Sequence, residues 1–251
     1  MSDATVLTFD LGNSFIKGLC CGAKPDAAVR ISWEGDWERE LGRWLAALPP
    51  HSHLIPVSSV VEELRLAHFV RACEGFGFPL QVNPAPALDV DCRSPETIGK
   101  DRLYAALGAW DLAPLPAIVL DAGTAMTVDA LGVRAGRPCF LGGSIAPGPK
   151  LLAASLSSGA AQLYAPELEG DLRALGRDTG EALRAGVLVG FQGAARELVR
   201  RIAIESDLAN ARLLLSGGAR GILRMEGLFG EREVIEEEHL VHRGLRACPG
   251  S

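Results

Sequence analysis

The feature that most constrains the fold is an internal echo. Val6-Leu-Thr-Phe-Asp10-Leu-Gly12-Asn13-Ser14 and Ile118-Val-Leu-Asp121-Ala-Gly123-Thr124-Ala125 each read as an apolar run, an aspartate, one further residue, a glycine and a small residue. Runs of this length and composition suit buried strands. The Asp-x-Gly that ends each one is a turn, because glycine admits backbone conformations and close approaches that a Cβ blocks. A strand thereby delivers a carboxylate to a turn, twice. The segments beyond the turns repeat as well: Phe15–Cys21 and Ala27–Trp33 read as hairpin strands after the first turn, and Met126–Leu131 and Cys139–Ile145 after the second. Breakers separate the strands of each pair, Gly22, Pro25 and Asp26 in one and Gly132, Gly136 and Pro138 in the other. The chain reads as two related α/β halves, each a mixed sheet flanked by helices. The Pro-rich Ala113-Pro-Leu-Pro116 divides them into 1–115 and 116–251.

Helical periodicity fills the remainder. Trp37, Leu41, Trp44, Leu45 and Leu48 form one stripe that ends at Pro49-Pro50. Asp101–Trp110 places Leu103, Ala106, Leu107 and Trp110 on one face, and Thr179–Ile202 aligns Leu183, Val187, Ala194 and Leu198. Leu213-Leu-Leu-Ser216-Gly217-Gly218 is a third strand-to-glycine turn, expected to lead into a helix.

Composition narrows the partners. Twenty-five Lys and Arg against 31 Asp and Glu give a net charge of −6, and no long basic run offsets it, which argues against nucleic acid. No apolar stretch reaches the roughly 18 residues that cross a bilayer, and Met1-Ser2-Asp3-Ala4 lacks the start of a secretory signal, so no membrane and a cytoplasmic setting are expected. Cysteines 20, 21, 73, 92, 139 and 248 form no C-x-x-C pair and read as reduced, mostly buried thiols. His51/His53 and His239/His242 read as solvated loop or helix positions without a role.

Several chemistries lack their motif. Gly143–Leu151 has the glycine spacing of a Walker A loop but not its Gly-Lys-Ser/Thr ending, no G-x-G-x-x-G opens a helix, and no G-x-S-x-G is present. The Asp-x-Gly-Asn/Thr turns instead suit phosphate: the turn exposes backbone N–H groups, the small polar side chain donates, and the carboxylate positions a cation or water. A single copy is commonly turn chemistry alone. Two copies favour a shared grip on one nucleotide.

Between the repeats, Cys92-Arg93-Ser94-Pro95-Glu96-Thr97-Ile98-Gly99-Lys100-Asp101-Arg102 sets an acid and a base at the start of a helix. This stretch resembles the P-x-x-x-G-x-D-R segment of type III pantothenate kinases. Asp10–Lys17, Asp121–Thr127, Leu141–Gly148 and Asp178–Ala182 match the same family in the same order, so that the resemblance spans about Leu7 to Gly221. It implies the actin-like, ribonuclease H-like fold of sugar kinases and actin. The implied activity is phosphorylation of pantothenate by ATP, the first step toward coenzyme A, with Mg2+ and a monovalent cation, K+ or NH4+. It further implies a homodimer, its dimerisation helix in the second half and pantothenate near the subunit interface.

Carried over by position, the resemblance makes Asp101 the general base toward the pantothenate hydroxyl, and puts Gly99, Lys100, Arg102 and Thr179 against the substrate. Asp10, Leu11, Gly12, Asn13, Ser14, Phe15, Ile16 and Lys17 form the first ATP loop, with Asp10 orienting magnesium through water. Thr124 is the second ATP contact, and Asp121 the carboxylate that binds the monovalent cation. Read as plain structure, Asp101 is a helix cap, Asp121 and Thr124 cap a turn, and Asp178 with Glu181 is a capping pair. The chain departs from the family at Cys92, nine positions before Asp101, where many members carry an aromatic residue. The alternatives implied are a non-catalytic relative of the Bvg accessory factor type and an actin-like kinase for another small hydroxylated acceptor.

Overall fold

A computed structural model describes residues 6–22, 27–48, 53–159, 163–170 and 172–248. The readings placed on Met1–Ala4, Pro25, Asp26, Pro49, Pro50 and His51 lie outside the described residues. Contacts divide the chain into two units, Met1–Pro114 with His239–Ser251, and Leu115–Glu238. The split falls within the Pro-rich stretch, and the segment from His239 onward groups with the first unit.

The first unit runs β1 (Val6–Leu11), β2 (Phe15–Cys21), β3 (Ala27–Ser32), α1 (Trp37–Ala46), β4 (Ile55–Ser59), α2 (Glu63–Gly75), β5 (Leu80–Val82), β6 (Asp89–Val90) and α3 (Lys100–Leu112). The second runs β7 (Ala117–Ala122), β8 (Ala125–Arg134), β9 (Arg137–Pro147), α4 (Pro149–Gly159), α5 (Thr179–Glu205), β10 (Arg212–Ser216) and β11 (Val234–Glu236). The chain then returns to the first unit as α6 (Leu240–Arg246).

The echo seen in the sequence is an echo of topology. Strands of the first unit lie in the order β3-β2-β1-β4-β5, antiparallel on the β2 side of β1 and parallel on the β4 side. In the second unit β9-β8-β7-β10-β11 repeat that order and those senses. Side chains obey the same pattern, because alternate residues of a strand face opposite sides. Leu7, Phe9 and Leu11 join a core with Leu41 and Leu45 of α1 and Phe69 and Cys73 of α2, while Ile118, Leu120 and Ala122 join one with Phe191, Ala195 and Val199 of α5. Asp10 and Asp121 therefore both stand on the opposite face.

Three helical expectations need correction. Helix α3 is buried continuously from Leu103 to Ala109 rather than along one face. Its far side is covered by α6, which approaches so closely that a Cβ on Gly108 would meet the Leu240 carbonyl and one on Gly244 the Tyr104 carbonyl. On α5 Val187 is buried and Leu198 packs against the core as expected, but Ala194 faces outward and Leu188, Phe191, Ala195 and Val199 are buried as well. The expected stripe misses at Ala194 because the adjacent alanines at 194 and 195 do not distinguish the two faces. The Gly217-Gly218 turn leads into a single 3-10 turn, Arg220–Leu223, not an α-helix. None of the six cysteines is in a disulfide among the described residues, and four of them are buried.

Candidate active site

The first hairpin turn is built from β1 and β2. In their register Asp10 pairs with Lys17, and the Lys17 ammonium donates to Asp10 Oδ2 at 2.9 Å. The Asp10 side chain is 6% exposed and that of Lys17 42%. A carboxylate buried to that degree needs a partner, and the opposite strand supplies one. Gly12 closes the turn by donating its N–H to the Phe15 carbonyl at 3.0 Å. Asn13 is exposed at the tip, with Gly12, Ser14 and Phe15 half-buried beside it. Leu11 and Ile16 are fully buried and support the turn from within the core.

The second turn has the same outline and a different support. Asp121 pairs with Thr127 across the hairpin and lies beside Ser216 of the parallel strand β10. Gly123 donates its N–H to the Ala125 carbonyl at 3.0 Å, and Thr124 is exposed. Two glycines press on this turn through the backbone alone. A Cβ on Gly148 would lie 2.5 Å from the Thr124 oxygen, and one on Gly217, whose φ is +89°, would lie 2.5 Å from the Ala122 carbonyl. Hydrogen bonds run along both contacts: Gly148 N–H donates to Thr124 O at 3.0 Å and Ala219 N–H to Ala122 O at 2.8 Å. Arg220 fastens the outer side, donating to Gly217 O at 3.0 Å and to Glu238 Oε2 at 2.6 Å.

Gly99 is the residue that caps α3, so Asp101 is spared the capping role that plain structure gave it. Lys100 and Asp101 open the helix, where the partial positive charge of the N-terminus favours a carboxylate. Asp101 Oδ1 accepts the Arg102 backbone N–H at 2.9 Å, and both residues are half-buried, as are Gly99, Lys100 and Cys92. Thr179 is the first residue of α5 and is exposed. The capping reading of its neighbours holds: Asp178 accepts the Glu181 N–H at 2.8 Å, and Glu181 in turn accepts the Arg177 N–H at 2.8 Å.

The model of the type III pantothenate kinase family matches residues 6–201, a span that holds both turns, Gly99–Arg102 and Thr179. The chain belongs to this family. A type III pantothenate kinase of Alkalilimnicola ehrlichii is 36% identical over 230 residues, covering 87% of this chain and 88% of its own. Among solved structures, a Campylobacter jejuni protein assigned to the Baf family of transcriptional activators superposes with a TM-score of 0.57 at 20% identity, over 96% of each chain. An archaeal actin homologue superposes with a TM-score of 0.53 at 12% identity, over 96% of this chain and 98% of its own. The structural likenesses establish the actin-like fold, and the family match establishes a kinase of this type.

Sequence reading missed the residues that surround the first turn. His242, set aside as solvated, is 3% exposed on α6, and its Nδ1 lies 2.8 Å from Thr8 Oγ1, two residues before Asp10. Burial holds its pKa near 4, so the ring is neutral at pH 7. Ser58 and Ser59, beside Asp10 and Leu11 in the sheet, have buried hydroxyls with no hydrogen-bond partner among the described residues. The Asn83 amide grips Ser59, accepting its N–H at 2.9 Å and donating to its carbonyl at 3.3 Å. No spacing rule joins these residues to the Asp-x-Gly motif, since 24 to 234 positions of chain separate them from their partners.

Proposed function

We propose that this member of the family transfers the γ-phosphoryl group of ATP to the primary hydroxyl of pantothenate, giving 4'-phosphopantothenate and ADP. The family match carries the reading, because the matched span holds Asp10, Asp101, Arg102, Asp121, Thr124 and Thr179 together. The hydroxyl oxygen forms the new bond to phosphorus as the bridging oxygen of ADP departs, and the hydroxyl proton passes to the Asp101 carboxylate. Phosphoryl transfer has a loose transition state, so the chief work of Asp101 is to aim the oxygen. Its place in the first turn of α3 suits this: the helix fixes its backbone, and the Arg102 N–H held by Oδ1 fixes the orientation of its carboxylate. Arg102, Lys100, Gly99 and Thr179 bind the acceptor. The turn Asp10–Lys17 and Thr124 receive the phosphates through backbone N–H groups and small polar side chains.

The ions are assigned from donor chemistry. Among the described residues no three His, Cys, Asp or Glu side chains converge as a metal cage. Magnesium ordinarily needs none, being held by one or two carboxylates with water and phosphate oxygens, and Asp10 is the carboxylate assigned to orient it through water. Asp121, a hard oxygen ligand beside Thr127 and Ser216, suits K+ or NH4+. A homodimer is part of the same proposal, and α5 offers it an exposed face at Gly186, Val189, Gly190 and Ala194. Among the described residues no helix is long and apolar enough to cross a membrane. A cytoplasmic setting is proposed with the activity.

A coupled ADP-release assay tests the proposal. ADP release is expected to require pantothenate, to run faster in K+ than in Na+, and to fall by about 100-fold or more in Asp101→Asn. A folded dimer that binds nucleotide without turnover would overturn it in favour of a regulatory relative. Turnover with a different alcohol in place of pantothenate would assign another acceptor.

A further inference from the structure

In the first hairpin turn, three consecutive carbonyl oxygens each accept a hydrogen bond from outside the turn. Gly12 O accepts the Trp33 indole Nε1–H at 2.7 Å, Asn13 O accepts Arg65 Nη1–H at 3.2 Å, and Ser14 O accepts the Trp33 backbone N–H at 3.3 Å. The donors form one unit, because the Arg65 guanidinium stands 5.3 Å from the Trp33 ring centroid. Trp33 is in turn wedged edge-on against Trp37 at 5.3 Å and Phe69 at 6.4 Å, which ties it to the aromatic core beneath α1 and α2.

A trans peptide is planar, with its carbonyl and the following N–H pointing in opposite directions. Fixing the carbonyls of Gly12, Asn13 and Ser14 therefore fixes the directions of the Asn13, Ser14 and Phe15 N–H groups. Those are the donors that a turn of this type offers to phosphate oxygens. We infer that Trp33 and Arg65 are positioning residues for the nucleotide, a side-chain clamp that holds the first turn in its phosphate-accepting shape before ATP arrives. The inference rests on the reading of that turn as part of the ATP site. A turn ordered in advance does not spend binding free energy on its own ordering, so the clamp acts on affinity for the nucleotide and not for the acceptor.

The two halves of the clamp are unequal. The Trp33–Gly12 bond is short and half-buried, whereas the Arg65–Asn13 bond is exposed and competes with water. Trp33→Phe, which keeps an aromatic ring in the core and removes the indole donor, is expected to raise the Kd for β,γ-methylene-ATP and the KM for ATP about fivefold to tenfold. The KM for pantothenate should stay within about twofold of wild type. Arg65→Met should weaken nucleotide binding about twofold, and Arg65→Lys, which keeps a donor and a charge, should recover part of that. Trp44→Phe is the matched control. The Trp44 indole packs on Phe9 at 5.9 Å rather than on the turn, so this variant should lower the melting temperature and leave nucleotide affinity in place.

Calorimetric titration of the full chain with β,γ-methylene-ATP, steady-state kinetics in both substrates and a thermal melt of each variant decide the matter. A Trp33→Phe protein that binds the analogue within twofold of wild type overturns the clamp alone. So does a parallel rise of both KM values that Trp44→Phe reproduces. A wild-type chain that binds no nucleotide overturns the ATP reading of the turn and the clamp with it.

Discussion

The two Asp-x-Gly turns share a sequence pattern, a strand order and a register, yet they are held by different means. Mainly side chains hold the first: Lys17 faces Asp10, the Trp33 indole and Arg65 take the carbonyls of Gly12 and Asn13, and the Trp33 backbone N–H takes that of Ser14. Mainly backbone holds the second: Gly148 and Gly217 come so near Thr124 and Ala122 that no Cβ fits between, and Arg220 fastens Gly217 from outside. A duplicated motif thus fixes where a carboxylate emerges from a sheet without fixing what stiffens the turn. The first turn should tolerate added bulk at its glycine and suffer from lost side chains. The second should behave in the opposite way.

Adding one methyl group probes the difference most strongly. Gly217→Ala must place a Cβ 2.5 Å from Ala122 backbone atoms at a φ of +89°, and should destabilise the protein by about 3 kcal/mol or more. Gly12→Ala meets nothing nearer than the Phe15 oxygen at 3.7 Å and should cost less than about 1 kcal/mol. Denaturant midpoints of the two variants measure the contrast, and equal losses would erase the distinction between the turns.

Acid sharpens the comparison next. Thr8 and His242 lie behind Asp10, whereas the residue two before Asp121 is the apolar Val119. Burial lowers the His242 pKa from 6.5 to about 4, Asp10 opposing the shift and His239 and Lys17 adding to it. Between those values the unfolded chain takes up a proton that the folded chain refuses. Stability is therefore complete above about pH 6.5 and declines as pH falls toward 4, with a loss on the order of 2 kcal/mol by pH 5. Chemical denaturation at pH 7 and pH 5 should show this loss in wild type. The paired variant Thr8→Val with His242→Leu, which gives the first half the apolar support of the second, should lose much less.

A smaller effect is expected at the paired residue across each hairpin. Lys17→Thr copies Thr127 and leaves the nearly buried Asp10 without its ammonium, for a cost of about 1 kcal/mol, moderated by the half-exposed lysine. Thr127→Ser should stay within about 0.5 kcal/mol. Melting temperatures at low and high salt would separate the two, because only the first loss involves an ion pair.

Repetition made the outline legible from residues alone. An apolar run that stops at Asp-x-Gly can do little but form a strand and turn, and finding it twice implied two like halves before any contact was known. Gly99–Arg102 was equally plain, since glycine is an accepted N-cap and an acid in the first turn suits the positive end of a helix. Local pattern failed where neighbours decide the outcome. The α3 residues Leu103–Ala109 are buried on every side because α6 crosses at Gly108 and Gly244, a contact between segments more than 100 residues apart. His242 looked solvated for the same reason: the helix that carries it reads as polar until its packing on Thr8 is known.

By itself, the amino-acid order determined the twin hairpins, the acid at the head of α3 and the family. All of these depend on residues within a few positions of one another, where backbone conformation is set by local sterics. Tertiary structure alone decided what steadies each turn. The indole and guanidinium at the first and the glycine backbones at the second arrive from distant parts of the chain, and their partners are chosen by how the sheets and helices close on one another.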